Sequence, residues 1–327
     1  MVVLAEKWQP FVTVRGCGWC RALGPGLQNN GRMRRPTPLP VDLDVAGFAV
    51  QTAAERDVQR GRLRAADLTA PFHGVRRVGE PTTIEELARS YAARMPPGGR
   101  FTHTTSAQLL GLRMPEAFRE HALHVGVPRP ARAPRGRGVI GHQIGADSPA
   151  LGKEGLPLTP AVETWLQCAV LLTADDLIIM GDGLVKRFKP WASVTELAEA
   201  VRRAAGCRGA TILREALASI RPGTDSARET MLRLIVVRAG FPEPEVNGPI
   251  VNRYGATIAH GDLVFREKKV ILEYEGRHHA DDERQFSIDI ARLDELMEEE
   301  WRVIRVDKQL MAARATLLGK IKTALAR

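Results

Sequence analysis

The stretch "GDLVFREKKVILEYEGRHH" at residues 261–279 constrains the fold of this chain more than any other. Two apolar runs of strand length flank the polar turn "REKK", and strands joined so closely pair antiparallel as a hairpin. Alternate residues share a face, so Ile271, Glu273 and Glu275 point one way and Val270, Leu272 and Tyr274 the other. A loop of two or four residues sets Phe265 against Val270 and Asp262 against Glu273. Opposed residues share a face, so Asp262, Glu273, Glu275 and His260 are predicted to cluster, the opposed pair with Cβ atoms about 5 Å apart.

Like charges placed opposite each other destabilise a sheet unless a cation or a proton intervenes. A hard divalent ion meets that need, and carboxylate oxygens suit Mg²⁺ or Mn²⁺, which keep several waters and take further ligands from substrate phosphates. The alternative is an exposed sheet whose acids pair with Lys268, Lys269 or Arg277 at the surface.

The chain has 327 residues, 44% of them hydrophobic, which suits two or three domains with sizeable cores. Apolar runs stay short of the roughly 18 residues of a membrane span, "AVLLTADDLIIMGDGLV" being broken by acids. The first residues lack the order of a signal peptide, so a cytoplasmic protein without a membrane partner is expected. Four cysteines are too scattered for a disulfide framework. The pair Cys17 and Cys20 resembles half a zinc site or a redox motif, with no second cluster to complete a four-ligand site. Met33 is a candidate start, which would make residues 1–32 an extension with no fold of its own.

Charge is unevenly placed. Residues 225–327 hold 17 basic and 18 acidic side chains, so the first 224 residues hold 30 and 20 of the totals of 47 and 38. A basic front segment suits a polyanionic partner, although a merely solvated basic surface has the same composition.

Along residues 44–78, Ala49, Val50, Ala53 and Ala54 give a helical pattern, with a turn near Val58–Gly61, a second helix at 62–68 and a strand at "FHGVRRV". That order predicts a winged helix-turn-helix-like domain over residues 33–80, with Arg60, Arg62, Arg64, Arg76 and Arg77 on the second helix and wing as candidate DNA contacts. The middle region, 81–221, reads as helices at "TIEELARSYAARM", "TSAQLLGL", "TPAVETWLQCAVLL" and "TADDLIIMGDGLVKR", more helix at 193–220, and a strand at "HALHVGV". The Pro, Arg and Gly-rich "PRPARAPRGRG" at 128–138 reads as a basic hairpin tip or linker able to touch a phosphate. Pro and Gly in "RPGTDS" mark a boundary near 221–226. Beyond it, residues 222–327 read as helix 226–239, strands near 245–251, 258–265 and 270–275, helix 282–299, strand 301–306 and helix 308–326. That αβββαβα order predicts a sheet covered on both faces, and an α/β (α+β) fold class for the whole.

These motifs carry a resemblance. Asp262, then ten residues, Glu273, one residue and Glu275, preceded by a helix bearing Glu229, resembles the PD-(D/E)xK arrangement of restriction-endonuclease-like nucleases. "SARETMLRLIVVRAGFPEPEVN", "GDLVF", "VILEYEGRHH", "DIARLDEL" and "WRVIRV" resemble the very-short-patch repair endonuclease-related family over roughly residues 222–310. "GRLRAADLTAPFHGVRR", "FTHTTSAQLLGLRMP" and "LPLTPAVETWLQCA" resemble abortive-infection antitoxin-like proteins over 33–220. The resemblance implies Asp262 and Glu273 as metal ligands, with Glu275 or the Tyr274 carbonyl completing the shell. It departs at Glu275, where a Lys is more usual. Glu229 is also placed as a capping-box partner of Ser226. His278 and His279 are placed to exchange a proton or to lie on the surface, and Arg292 to meet a phosphate or to pair with Asp289. The string "GDGLVKR" lacks the spacing of a phosphate-binding loop, and no nucleophile elbow occurs. The expectation is a Mg²⁺- or Mn²⁺-dependent DNA endonuclease. Its alternative is an antitoxin-like DNA-binding regulator with a non-cleaving nuclease fold and a toxin or defence-system partner.

Overall fold

Helices begin where short polar side chains take up their first free amides. Thr83 Oγ1 accepts from Glu86 N at 3.1 Å before the helix Ile84–Ala92. Thr173 with Asp176 and Ser193 with Glu196 form capping boxes ahead of Ala174–Leu184 and Val194–Arg203. Asp307 Oδ1 accepts from Leu310 N at 2.7 Å before Lys308–Ala312. These elements come from a computed structural model, which describes residues 36–116, 118, 122–275 and 292–326. The extension expected at 1–32, with Cys17 and Cys20, and the residues Met33, Arg277, His278, His279 and Asp289 lie outside the described residues.

Within Pro38–Arg327 the described strands make three sheets, of three, six and four strands, and with the helices give an α+β architecture. The smallest sheet orders Phe48–Ala49, Val75–Val78 and Leu68–Thr69. Its helix, Val50–Ala54, falls on the helical pattern and starts at Ala49 without a side-chain cap. The helix expected at 62–68 is a single 3-10 turn at Arg62–Arg64. Arg62 bends back to grip Asp67 through two bonds of 2.8 and 2.7 Å, and the chain enters a strand at Leu68.

The six-stranded sheet runs Arg135–Gly136, Val139–Ile144, Leu123–Pro128, Arg100–Phe101, Leu156–Leu158, Leu151–Lys153. Helices appear where periodicity places them, at His103–Leu110, Ala161–Cys168, Ala174–Leu184, Val194–Arg203 and Ala210–Ser219. Phe101, Leu123, Leu158, Trp165, Leu177 and Met180 are fully buried in the core beneath, each such aliphatic or aromatic side chain worth roughly 1.5–3 kcal/mol or more. Trp165 Nε1 donates to Leu177 O at 2.9 Å, which satisfies its one polar atom.

The four-stranded sheet follows the order Glu245–Val251, Thr257–Phe265, Val270–Tyr274, Arg302–Val306, the first three antiparallel and the last parallel to its neighbour. Its hairpin has the register read from the turn: Phe265 opposes Val270, Val264 opposes Ile271 and Leu263 opposes Leu272. Leu263, Phe265, Val270, Leu272 and Ile304 pack against Ala227–Arg238 and the carboxyl-terminal helices on one face. Ile250, Ala259, Val264 and Ile271 pack with Leu296 and Trp301 on the other. The helix expected at 282–299 is described over 292–298. The one expected at 308–326 breaks at Ala313 into Lys308–Ala312 and Arg314–Leu325.

A buried ion pair joins the two larger layers. Asp182, inside Ala174–Leu184, accepts from Arg233 Nη2 (2.8 Å), Thr230 Oγ1 (2.9 Å) and Arg221 N (2.7 Å), and neither charged side chain is more than 2% exposed. No helix among the described residues is long and apolar enough to cross a membrane.

Candidate functional site

The hairpin ladder stops at Leu263 and Leu272, one step short of the acids. There the strands part, and Asp262 Oδ2 accepts from Tyr274 N at 2.8 Å, so a side chain replaces the next backbone partner. Gly261 permits this approach, because a Cβ on it would lie 2.5 Å from Ile271 Cγ2 and 2.9 Å from Val264 Cγ2. Burial pushes the Asp262 carboxyl up to about 7; the Tyr274 amide opposes the rise, Glu229 and Glu273 add to it, and Arg292 opposes it.

Glu273 meets the Arg292 guanidinium in an ion pair, and Arg292 Nη2 also donates to His260 O at 3.1 Å. Arg292 Nε is buried without a partner among the described residues. Glu275 turns away: its carboxylate pairs with Arg305 at 2.9 Å, both side chains nearly half exposed. Arg305 and Glu273 are neighbours in the parallel ladder, so the basic residue comes from the adjoining strand rather than the hairpin turn. Lys269 instead reaches Glu299 O (3.0 Å) and Glu300 (3.2 Å). Glu229 is buried, with its Oε2 accepting from Asp225 N (2.8 Å) and Asn247 Nδ2 (3.2 Å) while its own N donates to Ser226 Oγ (3.1 Å). Ser226 therefore caps the helix, the expected capping box is only half made because the Glu229 carboxylate takes the Asp225 amide, and Glu229 contributes charge near Asp262. His279 lies outside the described residues, and the His260 side chain is exposed.

Asp262 and Glu273 fit a hard divalent ion, since Mg²⁺ is commonly held by one or two carboxylates with its remaining places left to water and phosphate. Glu275 does not join them, and Arg292 stands where such an ion would draw on Glu273.

The candidate DNA-contacting arginines divide. Arg60 and Arg64 are exposed. Arg62 is engaged by Asp67. Arg77 is buried, 3.8 Å from Glu86, and Arg76 donates to Leu63 O and Val75 O, both at 2.8 Å. Arg76 also lines a cleft of about 800 Å³ whose other cations are Arg94, Arg135 and Arg137, all exposed, over a floor that includes the buried Phe72 and Tyr91. Arg135 and Arg137 belong to the basic tract read as a hairpin tip, and they do form one: Arg135–Gly136 pairs with Val139–Ile140.

A second constellation was not foreseen. His103, His124 and His142 bring one ring nitrogen each within 4.8 Å of the others, among the described residues the group of three so placed. Burial, then the neighbouring His142 and His124, pushes the His103 imidazole down to about 3, so it is neutral at pH 7. The one signal available in the sequence is crowding, as four of the eight histidines fall between residues 103 and 142.

No family model matches the chain, and no curated protein matches it significantly. Among solved structures it is similar to the Rv2827c protein from Mycobacterium tuberculosis, with 16% identity, 63% of this chain and 83% of that chain covered, and a TM-score of 0.37. A likeness of that size assigns neither a fold nor an activity.

Proposed function

We propose that the protein is a metal-dependent DNA endonuclease in which Asp262 and Glu273 hold a Mg²⁺ or Mn²⁺ ion. The observation that carries this reading is the juxtaposition of two carboxylates on one sheet face, at the point where the hairpin ladder opens beside a charged helix start. The helix, three antiparallel strands and parallel fourth strand agree with the order expected of a restriction-endonuclease-like core. When bound, the ion supplies Lewis-acid stabilisation of charge on the scissile phosphodiester. Tyr274 N orients Asp262, Glu229 keeps the region anionic, and Arg292 is placed to leave Glu273 for a phosphate oxygen. Arg94, Arg135 and Arg137 in the cleft take the DNA backbone, with the exposed Arg60 and Arg64 adding further positive charge. Purified protein should nick supercoiled plasmid in Mg²⁺ or Mn²⁺ but not in chelator, and Asp262→Ala should not nick; equal nicking by that variant rejects the assignment.

One observation favours a second reading. Arg292 and Arg305 already neutralise Glu273 and Glu275, which suits a nuclease-like sheet that no longer cuts, within an antitoxin-like DNA-binding regulator. It predicts binding to the DNA upstream of its own gene without cleavage or metal dependence. Arg135→Ala and Arg137→Ala should then each weaken binding uniformly across sequences and reduce the salt slope by about 1.

A further inference from the structure

We propose that His103, His124 and His142 form a binding site for one zinc-class transition-metal ion, separate from the carboxylates of the four-stranded sheet. The fold assembles this trio from three elements. His124 lies on Leu123–Pro128 and His142 on its parallel neighbour Val139–Ile144, in a register that sets His124 beside Ile140 and Gly126 beside His142. Residues paired across the strands share a face, so both imidazoles stand on the same side of the sheet. His103 arrives from the next layer. A Cβ on Gly126 would lie 2.6 Å from Thr102 Cγ2, so the missing side chain lets Thr102 seat against the strand and carries His103 over it. Thr102 N donates to His124 O at 3.0 Å and His124 N to Thr105 Oγ1 at 2.8 Å, which locks helix start and strand together.

His103 is held there at a backbone cost, with φ of +49°, a left-handed conformation that residues other than glycine adopt rarely. Gln167 Oε1 accepts from its N–H at 3.0 Å, and its Nδ1 lies 3.0 Å from Thr102 Oγ1. That contact engages Nδ1 and leaves Nε2 as the ligand atom, the arrangement in which an outer hydrogen bond orients a metal-ligating histidine. The His103 and His142 rings stack with centroids 3.8 Å apart, and His124 Nδ1 lies 2.9 Å from His142 Nε2. Two nitrogens on a tetrahedral zinc are about 3.3 Å apart, given Zn–N bonds of about 2.0–2.1 Å. The His124–His142 pair therefore opens by a few tenths of an ångström, the stacked rings turn so that their in-plane lone pairs converge, and the shared proton moves to another ring nitrogen. His103 and His124 are buried and His142 is half-buried, so a fourth position on the His142 side stays open to water or an exchangeable ligand. Imidazole ligands without carboxylate or thiolate favour zinc, copper, nickel and iron over Mg²⁺.

The test uses the full chain carrying Cys17→Ser and Cys20→Ser, so that this thiol pair adds no ligand. Titration with Co²⁺, the visible probe for a zinc site, should give d–d bands that saturate at one ion per chain and vanish when Zn²⁺ is added. His142→Ala, at the most exposed of the three positions, should remove the bands while keeping the circular dichroism of the parent. Thr102→Val, which keeps the volume and removes the hydroxyl beside His103 Nδ1, should weaken Co²⁺ about 10–100-fold. Asp262→Ala should leave the titration unchanged. Absence of saturable bands in the parent chain overturns the proposal whatever the variants do, and so does a folded His142→Ala chain that binds as tightly as the parent. Loss of the bands in Asp262→Ala would place the ion at the carboxylates instead.

Discussion

The carboxylate pair and the histidine trio both sit where a sheet meets a helix start, yet their polar atoms are satisfied in opposite ways. Asp262 and Glu273 are acids, and the fold answers them with a counter-charge: Arg292 pairs with Glu273, while burial leaves Asp262 easily protonated. His103 is neutral, and the three rings meet one another through a ring-to-ring contact of 2.9 Å and stacking at 3.8 Å. A cation entering the first site must displace a guanidinium and compete with a proton; one entering the second must turn the stacked rings and shift a tautomer. The difference teaches that a carboxylate site must bring its own counter-charge when it folds, whereas imidazoles can close on one another.

The largest expected effect breaks both sites together. Asp182→Ala leaves Arg233 charged and buried between the layer that carries the histidines and the one that carries the acids. Removing one partner of such a pair costs about 3–5 kcal/mol. Urea unfolding should show a loss of that size, with near-ultraviolet signals of both layers shifting together; a change below about 1 kcal/mol would mean that the layers hold independently.

Next comes the titration of Asp262, followed in chelator so that no metal intervenes. Its folded pKa, about 7, is raised above the ordinary 3.8, so the native state holds this proton through a window where the unfolded chain has lost it. Stability associated with the neutral acid is complete below about pH 4 and is lost as pH rises through 7. Asp262→Asn should remove that decline, by roughly 1–3 kcal/mol after discounting for partial exposure. Parallel stability curves for parent and variant between pH 4 and pH 7 would place Asp262 in water and detach it from Glu229 and Glu273. An effect of the same order follows for Gly261→Ala, whose new methyl would press on Ile271 and Val264: about 1–3 kcal/mol, with the Asp262 titration moving toward the ordinary carboxylate range.

The two sites were unequally legible in the sequence, for a geometric reason. The acid site depends on a hairpin, whose short turn ties register to residue number, so the pairings from Phe265–Val270 to Leu263–Leu272 follow from counting. The histidines depend on parallel strands and a crossing helix, and no count from a turn relates residue 124 to residue 142 or either to residue 103. Side-chain partners were legible in neither region, because periodicity fixes the face a side chain takes and not the charged group it meets. Arg305 meets Glu275 only because Arg302–Val306 lies parallel to the hairpin, and Arg62 leaves the expected DNA surface for Asp67 five residues away. The segment at 62–68 reads as a helix by composition, but that local grip ends it after one turn.

The smallest expected effect bears most directly on what the acid site is. If Glu275 were a third metal ligand, as the restriction-endonuclease-like reading allows, its loss should cost much of the affinity for Mn²⁺. Its carboxylate instead faces Arg305 in a pair whose two side chains are 47% and 46% exposed, and surface pairs of that kind contribute about 0–1 kcal/mol. Glu275→Ala should therefore change stability by less than about 1 kcal/mol and leave Mn²⁺ affinity within about two-fold, whereas Glu273→Ala should lose Mn²⁺ binding. Isothermal titration of the two variants side by side separates a two-carboxylate site from a three-carboxylate one. If Glu275→Ala loses binding as fully as Glu273→Ala, Arg305 releases the acid when metal arrives, and the contrast with the self-satisfied histidines narrows to one of charge alone.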